Sequence, residues 1–297
     1  MNNKITSRTR VLGVIGDPIE HSLSPVLHNY VLERLGLDYC YLAFRVPRDK
    51  PGNVASSFRT LGLAGLNVTI PHKEAVAGQM DTLTEEARAV GAVNTIGMDK
   101  EGGLVGHNTD VAGFLGSLQV RGLDKKLSGR PAVVLGAGGA ARAVLLGLAR
   151  AEVKEVILVN RTESRAGELA RWFGKAVSGQ VPVRTVSPAD TLSLEKAIGE
   201  AFITVNVTPL GMAPDTDSSP LPEGLLPEPE TVVYDTIYNP MRTRLLEAAE
   251  KGGCTVVGGL DMLIIQGMES LSWWLGREIP WQDMLEDIRR RLLEALS

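Results

Sequence analysis

LSGRPAVVLGAGGAARAVLLGLARAEVKEVILVNRT, residues 127–162, decides the fold class. PAVVL and EVILV are short runs rich in β-branched, apolar residues, closed by glycine or polar residues, and they read as strands. Between them a longer stretch carries apolar residues at helical spacing. The order strand, glycine turn, helix, strand is one βαβ unit. GAGGAA, Gly136 to Ala141, joins the first strand to the helix and fits G-x-G-x-x-A. The first glycine permits the tight turn, the second lets backbone approach a pyrophosphate, and the small last residue lets helix and strand pack closely. Gly136, Ala137, Gly138, Gly139 and Ala140 are therefore candidate cofactor-binding residues at a helix N-terminus, where N–H groups and positive potential suit phosphate. A glycine turn needed only for its backbone conformation is the competing reading.

The end of the second strand favours the dinucleotide. A site for NAD carries an acid there to bond the adenosine ribose hydroxyls. This chain has Asn160, Arg161 and Thr162, and then Arg165. An acid repels a ribose 2′-phosphate, whereas arginines bind one through charge-assisted, often bidentate hydrogen bonds. With Thr162 as helix cap, Arg165 falls in the first turn beside Arg161. The cofactor expected is NADP.

Outward from this stretch, strand and helix signals alternate. RVLGVIG, YCYLAFRV and LNVTI read as strands before it, the last ended by Pro71, and VPVRTV, FITVNV, TVVYDTI and CTVVGG after it. VNTIGM and GLVGHN flank the turn DKEG as a hairpin. LSPVLHNYVLERLG is a helix opened by Ser24 and Pro25, PGNVASSFRTLG a second, and Thr82 to Glu85 has capping-box spacing before another. TPLGMAPDTDSSPLPEGLLPEPE is a surface loop, and DMLIIQGMESLSWWLG and WQDMLEDIRRRLLEAL are terminal helices. The fold class is α/β with mostly parallel sheets.

The 297 residues suggest two domains at about 100–200 residues each. Hydrophobic content of 44%, charged content of 22% and net charge −4 describe an ordinary globular chain with no electrostatic footprint for nucleic acid or anionic membrane. No apolar stretch reaches bilayer length, and the polar start MNNKITSRTR lacks a signal peptide's apolar core. Cys40 and Cys254 are too few for a disulfide framework or a zinc site, so no metal is expected and the compartment expected is the cytoplasm.

The chemistry-bearing residues lie mostly in the first third. Lys73 follows NVTIP where a strand runs into a loop; HSLSP supplies Ser22 and Ser24; GAVNT supplies Asn94; HNTD supplies Asn108, Thr109 and Asp110. Each has a plain reading: Ser24 and Asp110 as helix caps, Asn94 and Asn108 as hairpin residues, Lys73 as a solvated lysine. Gln266 is an amide inside the apolar run DMLIIQGM, where burial demands partners.

Taken in order, HSLSP, NVTIPHKE, GAVNT, HNTD, GAGGAA, NRT and GGLDMLIIQG resemble the motif series of the shikimate dehydrogenase family, from about Val11 to the final helices. The resemblance implies reversible NADPH-dependent reduction of 3-dehydroshikimate to shikimate, a step of aromatic amino-acid biosynthesis. It implies Lys73 and Asp110 as the catalytic pair and Ser22 and Ser24 as ligands of the substrate carboxylate. Asn67, Thr69, Asn94, Asp110, Tyr238 and Gln266 then contact its hydroxyls or line the pocket. It also implies a substrate domain of residues 1–109 plus 260–297, a Rossmann-type NADP-binding domain of residues 110–259, and an active site in the cleft between them. A dual-substrate quinate/shikimate dehydrogenase is the neighbouring alternative, and a non-catalytic NADP-binding sensor the alternative of another class. Monomer and homodimer both stay open.

Overall fold

The computed structural model describes residues 5–49 and 52–296. The chain divides into one unit of Met1–Asp110 with Leu263–Ser297 and another of Val111–Met262.

In the first unit, β1 (Arg10–Gly16), β2 (Tyr39–Arg45), β3 (Gly65–Val68), β4 (Thr82–Leu83), β5 (Thr95–Met98) and β6 (Leu104–His107) form one sheet in the order β2-β1-β3-β5-β6-β4. β1 runs parallel to β2 and β3, whereas β5 runs antiparallel to β3 and β6. The direction change brings the C-terminal end of β3, the N-terminal end of β5 and the C-terminal end of β6 to one end of the sheet. Helices α1 (Ser24–Arg34), α2 (Val54–Thr60), α3 (Lys73–Ala77) and α4 (Glu85–Val90) connect the strands, and α5 (Asp110–Gln119) starts on the unit's last residue before the crossing. Ile15, Phe58, Leu66, Val68, Val76 and Ile96 are among its buried core.

The second unit holds β7 (Pro131–Leu135), β8 (Glu155–Val159), β9 (Val183–Val186), β10 (Ile203–Asn206), β11 (Val232–Asp235) and β12 (Thr255–Val257), with α6 (Ala141–Arg150), α7 (Glu163–Ala176), α8 (Thr191–Glu200) and α9 (Arg244–Lys251). Its sheet is parallel throughout, in the order β12-β11-β10-β7-β8-β9. Ala132, Val134, Val156 and Leu158 enter one apolar cluster, and Val133, Leu135, Ile157 and Val159 enter another. Both faces of β7 and β8 are therefore covered, which is why PAVVL and VILV are unbroken apolar runs rather than alternating ones. Helices α10 (Leu260–Leu275) and α11 (Leu285–Glu294) end the chain.

Local chemistry corrects several sequence expectations. Ser24 is the first residue of α1 rather than its cap: Leu23 holds that position and no side chain caps the helix. Thr84, not Thr82, caps α4, accepting from the Ala87 N–H, while Thr82 belongs to β4. β3 ends at Val68, before Pro71 can end it. Lys73 is not in a loop but opens the short helix α3.

Candidate active site

Sheet register assembles this site. Thr95 pairs with His107 across the β5–β6 hairpin, and Asn67 pairs with Thr95 across β3–β5. The residues flanking these pairs, Asn94 before β5 and Asn108 to Asp110 after β6, consequently meet. The Asn94 backbone N–H donates to the His107 carbonyl at 3.1 Å.

Lys73 Nζ donates to Asp110 Oδ2 at 2.6 Å, with the lysine side chain 16% and the aspartate 7% exposed. A solvated lysine is therefore not what the fold makes of Lys73. Asn94 Nδ2 donates to Asp110 Oδ1 at 2.9 Å and to Thr109 Oγ1 at 2.9 Å. The Thr109 backbone N–H donates to Asn94 Oδ1 at 2.9 Å, which fixes the amide's orientation. Both carboxylate oxygens of Asp110 are thus held, one by a cation and one by an amide. Asp110 is the first residue of α5, and its carboxylate serves this site rather than capping the helix. Asn108 takes the turn role instead: its Oδ1 accepts from the Asp110 N–H at 3.0 Å and its amide donates to the Ala92 carbonyl.

Asn67 is buried, and its Nδ2 donates to the Asn94 carbonyl, Thr95 Oγ1 and Ser270 Oγ at 3.0, 3.1 and 3.0 Å. Gln266 is half-buried; its Nε2 donates to the Leu263 carbonyl at 2.9 Å and its Oε1 accepts a long bond from Asn94 at 3.4 Å. Ser22 Oγ accepts from the Ser24 N–H at 3.3 Å, and Ser24 itself is buried. Thr69 follows β3, half-buried, its N–H on the Ile15 carbonyl. Tyr238 stands in the second unit and is not a member of this hydrogen-bonded set; burial pushes its phenol up.

Tyr41, Thr95 and Ser270 went unnoticed in the sequence. The signal for Ser270 was present: it lies four residues after Gln266 in an apolar helix, and its hydroxyl donates to the Gln266 carbonyl at 3.0 Å. Tyr41 is fully buried and donates to Asn67 Oδ1 at 2.7 Å.

In the second unit, Gly136 follows β7 with φ +108°, and a Cβ there would lie 2.6 Å from Thr208 Cγ2. Gly138 and Gly139 are exposed, and a Cβ on Gly139 would meet nothing within 4 Å. α6 then starts with Ala140 at its cap position and no capping side chain. A closely packed turn base, an open glycine edge and a ten-residue helix with an uncapped start fit a dinucleotide phosphate. Asn160 is half-buried and donates to the Thr162 carbonyl at 2.8 Å. Thr162 holds the cap position of α7, although its hydroxyl makes no capping bond. Arg161 and Arg165 are both exposed at that helix start, with Asn160 rather than an acid directly after β8 and Glu163 as the first residue of α7.

A family model described as the shikimate dehydrogenase substrate binding domain matches residues 14–96, and one described as shikimate / quinate 5-dehydrogenase matches residues 119–188. The chain is 47% identical to a shikimate dehydrogenase (NADP(+)) of Symbiobacterium thermophilum, over 97% of this chain and 95% of that protein. The shikimate 5-dehydrogenase of Listeria monocytogenes, solved with shikimate and NAD, matches with a TM-score of 0.86 at 36% identity, covering 97% of this chain and 99% of that one. The shikimate 5-dehydrogenase of Thermus thermophilus, solved with NADP(H) and shikimate, matches with a TM-score of 0.80 at 38% identity, covering 95% and 99%. Likeness of this degree, sustained along nearly the whole of each chain, means that this chain belongs to the shikimate dehydrogenase family.

Proposed function

We propose that the chain catalyses the reversible NADPH-dependent reduction of 3-dehydroshikimate to shikimate, with Lys73 and Asp110 as the catalytic pair. The observation that carries the roles is the 2.6 Å Lys73–Asp110 contact, with the second Asp110 oxygen held by Asn94. When bound, NADPH supplies the hydride. Reduction of a ring carbonyl builds negative charge on its oxygen, and the Lys73 ammonium both stabilises that charge and delivers a proton from Nζ. Asp110 orients the ammonium and the product hydroxyl, and Asn94 orients Asp110. In the oxidative direction the same pair takes the hydroxyl proton.

Ser22 and Ser24 are the proposed ligands of the substrate carboxylate, with Asn67, Thr69, Tyr238 and Gln266 lining the pocket. Gly136, Ala137, Gly138, Gly139 and Ala140 hold the pyrophosphate, and Asn160, Arg161, Thr162 and Arg165 the adenosine end with its 2′-phosphate. The domains proposed are residues 1–109 plus 260–297 for substrate and 110–259 for NADP, and the location is the cytoplasm. No helix among the described residues is long and apolar enough to cross a membrane.

The test is absorbance at the reduced-nicotinamide band with shikimate or quinate, each with NADP⁺ or NAD⁺. A strong signal confined to shikimate with NADP⁺ is the expected result. Comparable rates with quinate or NAD⁺ would move the chain to the dual-substrate branch, and silence in all four pairings would leave a nucleotide-binding protein.

A further inference from the structure

Behind the Lys73–Asp110 pair lies a run of buried hydrogen bonds whose directions are fixed by the backbone groups in it. Asn94 must point its Nδ2 at Asp110, because its Oδ1 accepts the Thr109 backbone N–H. Asn67 must point its Nδ2 at the Asn94 carbonyl, which can only accept. Its Oδ1 therefore faces Tyr41, and the phenol has to donate, at 2.7 Å. Thr95 joins the two amides, accepting from Asn67 at 3.1 Å and donating to Asn94 Oδ1 at 2.8 Å.

The head of this run is held in place from around its ring. Tyr41 is 0% exposed, with the His28 ring edge-on at 4.1 Å and Trp274 at 6.5 Å between centroids. Its backbone N–H and carbonyl are both taken by the Asn29 side chain, at 2.8 and 2.9 Å. A phenol so fixed has one orientation to offer Asn67. The same hydroxyl is hydrogen-bonded by the Ser24 side chain, and it ends a directed path of hydrogen bonds that runs through Asn67 and Asn94 to the carboxylate orienting the lysine.

We propose that Tyr41 is a positioning residue for the dehydrogenase reaction: its hydroxyl locks the Asn67 amide, which with Thr95 locks Asn94 and so the Asp110 carboxylate. The inference rests on the reading of Lys73 and Asp110 as the catalytic pair. In Tyr41→Phe the ring and its packing stay, but Asn67 Oδ1 loses its donor. The amide is then free to turn, and a turned Asn67 no longer serves the Asn94 carbonyl. Asp110 loses the firm hold of Asn94.

The experiment is steady-state kinetics of wild type, Tyr41→Phe and Ser270→Ala, with melting curves and NADP⁺ titrations of each. Ser270→Ala removes an acceptor from the other side of the Asn67 amide and keeps the test alive should Tyr41→Phe fold poorly. The expected result for Tyr41→Phe is a fall of about tenfold in kcat, larger than any rise in the KM for shikimate, and NADP⁺ affinity close to that of wild type. Ser270→Ala lowers kcat in the same way by less. A wild-type kcat in a folded Tyr41→Phe enzyme, a loss confined to the KM for shikimate, or a loss shared equally by NADP⁺ binding overturns the positioning role. A wild type silent with shikimate and NADP⁺ overturns the underlying reading instead, so the two failures are told apart by the wild type alone.

Discussion

Lys73 and Asp110 occupy the same place in their helices: each is the first residue, of α3 and of α5, and their side chains meet at 2.6 Å. A helix start is where the chain leaves the sheet, so both side chains depart from the sheet end that carries Asn67 and Asn94. Lys73→Ala removes the proposed proton donor and leaves this frame standing. Turnover should fall by about 10²- to 10⁴-fold, with the KM for NADP⁺ little changed. Near-normal turnover would show that another group carries the proton.

Arg161 and Arg165 are the proposed holders of the 2′-phosphate. Replacing both with alanine removes charge-assisted bonds to a 2′-phosphate, which raises the KM for NADP⁺ by roughly ten- to a hundredfold. The KM for NAD⁺, which has no such phosphate, should change little. Parallel rises for both cofactors would assign the arginines a general rather than a discriminating role.

Gly136 and Gly139 lie in one turn but face different surroundings. Gly136→Ala forces a side chain into a φ of +108° and toward Thr208 Cγ2 at 2.6 Å, and should cost on the order of 1–3 kcal/mol. Gly139→Ala meets nothing within 4 Å and should leave stability within about 0.5 kcal/mol of wild type. Urea midpoints of the two variants check this; equal losses would mean that local packing does not set the difference.

Two buried groups pull stability in opposite directions with pH. His28 is fully buried with no hydrogen-bond partner for either ring nitrogen among the described residues, and burial pushes it down to about 3. The unfolded chain binds its proton below about 6.5, so this term is fully favourable above that pH and is lost as pH falls toward 3. Burial pushes the Asp235 carboxyl up to about 6, partly offset by bonds from Thr243, Ile237 and Asn206. Here the folded chain holds the proton longer, so this term favours folding at low pH and is lost as pH rises from 3.8 through about 6. Relative to wild type, His28→Leu should gain stability at about pH 4.5 compared with about 7.5, and Asp235→Asn at about 7.5 compared with about 4.5. Urea midpoints at the two pH values measure both, and an unchanged difference in either variant would remove that residue from the pH response.

What the sequence determined by itself follows from local rules. The βαβ order of residues 127–162 rests on unbroken apolar runs and a glycine pattern, both of which are properties of neighbouring residues. Helix starts were less legible: Ser24 and Thr82 are good capping residues by type, but the caps fell to Leu23 and Thr84 because the flanking chain enters each helix from there.

Only the tertiary structure decided the site's inner layer. Lys73 meets Asp110, and Asn67 meets Ser270 of α10, because β5 reverses direction and α10 returns to the first unit. No periodicity in the sequence encodes such a meeting, since hydrogen bonds between residues far apart depend on sheet register and on where the chain comes back. Tyr41 looked like any aromatic in a strand, with a hydroxyl whose use depends wholly on Asn67 lying across from it. Its ring is apolar enough to be buried by type, but what its oxygen bonds was settled by the fold.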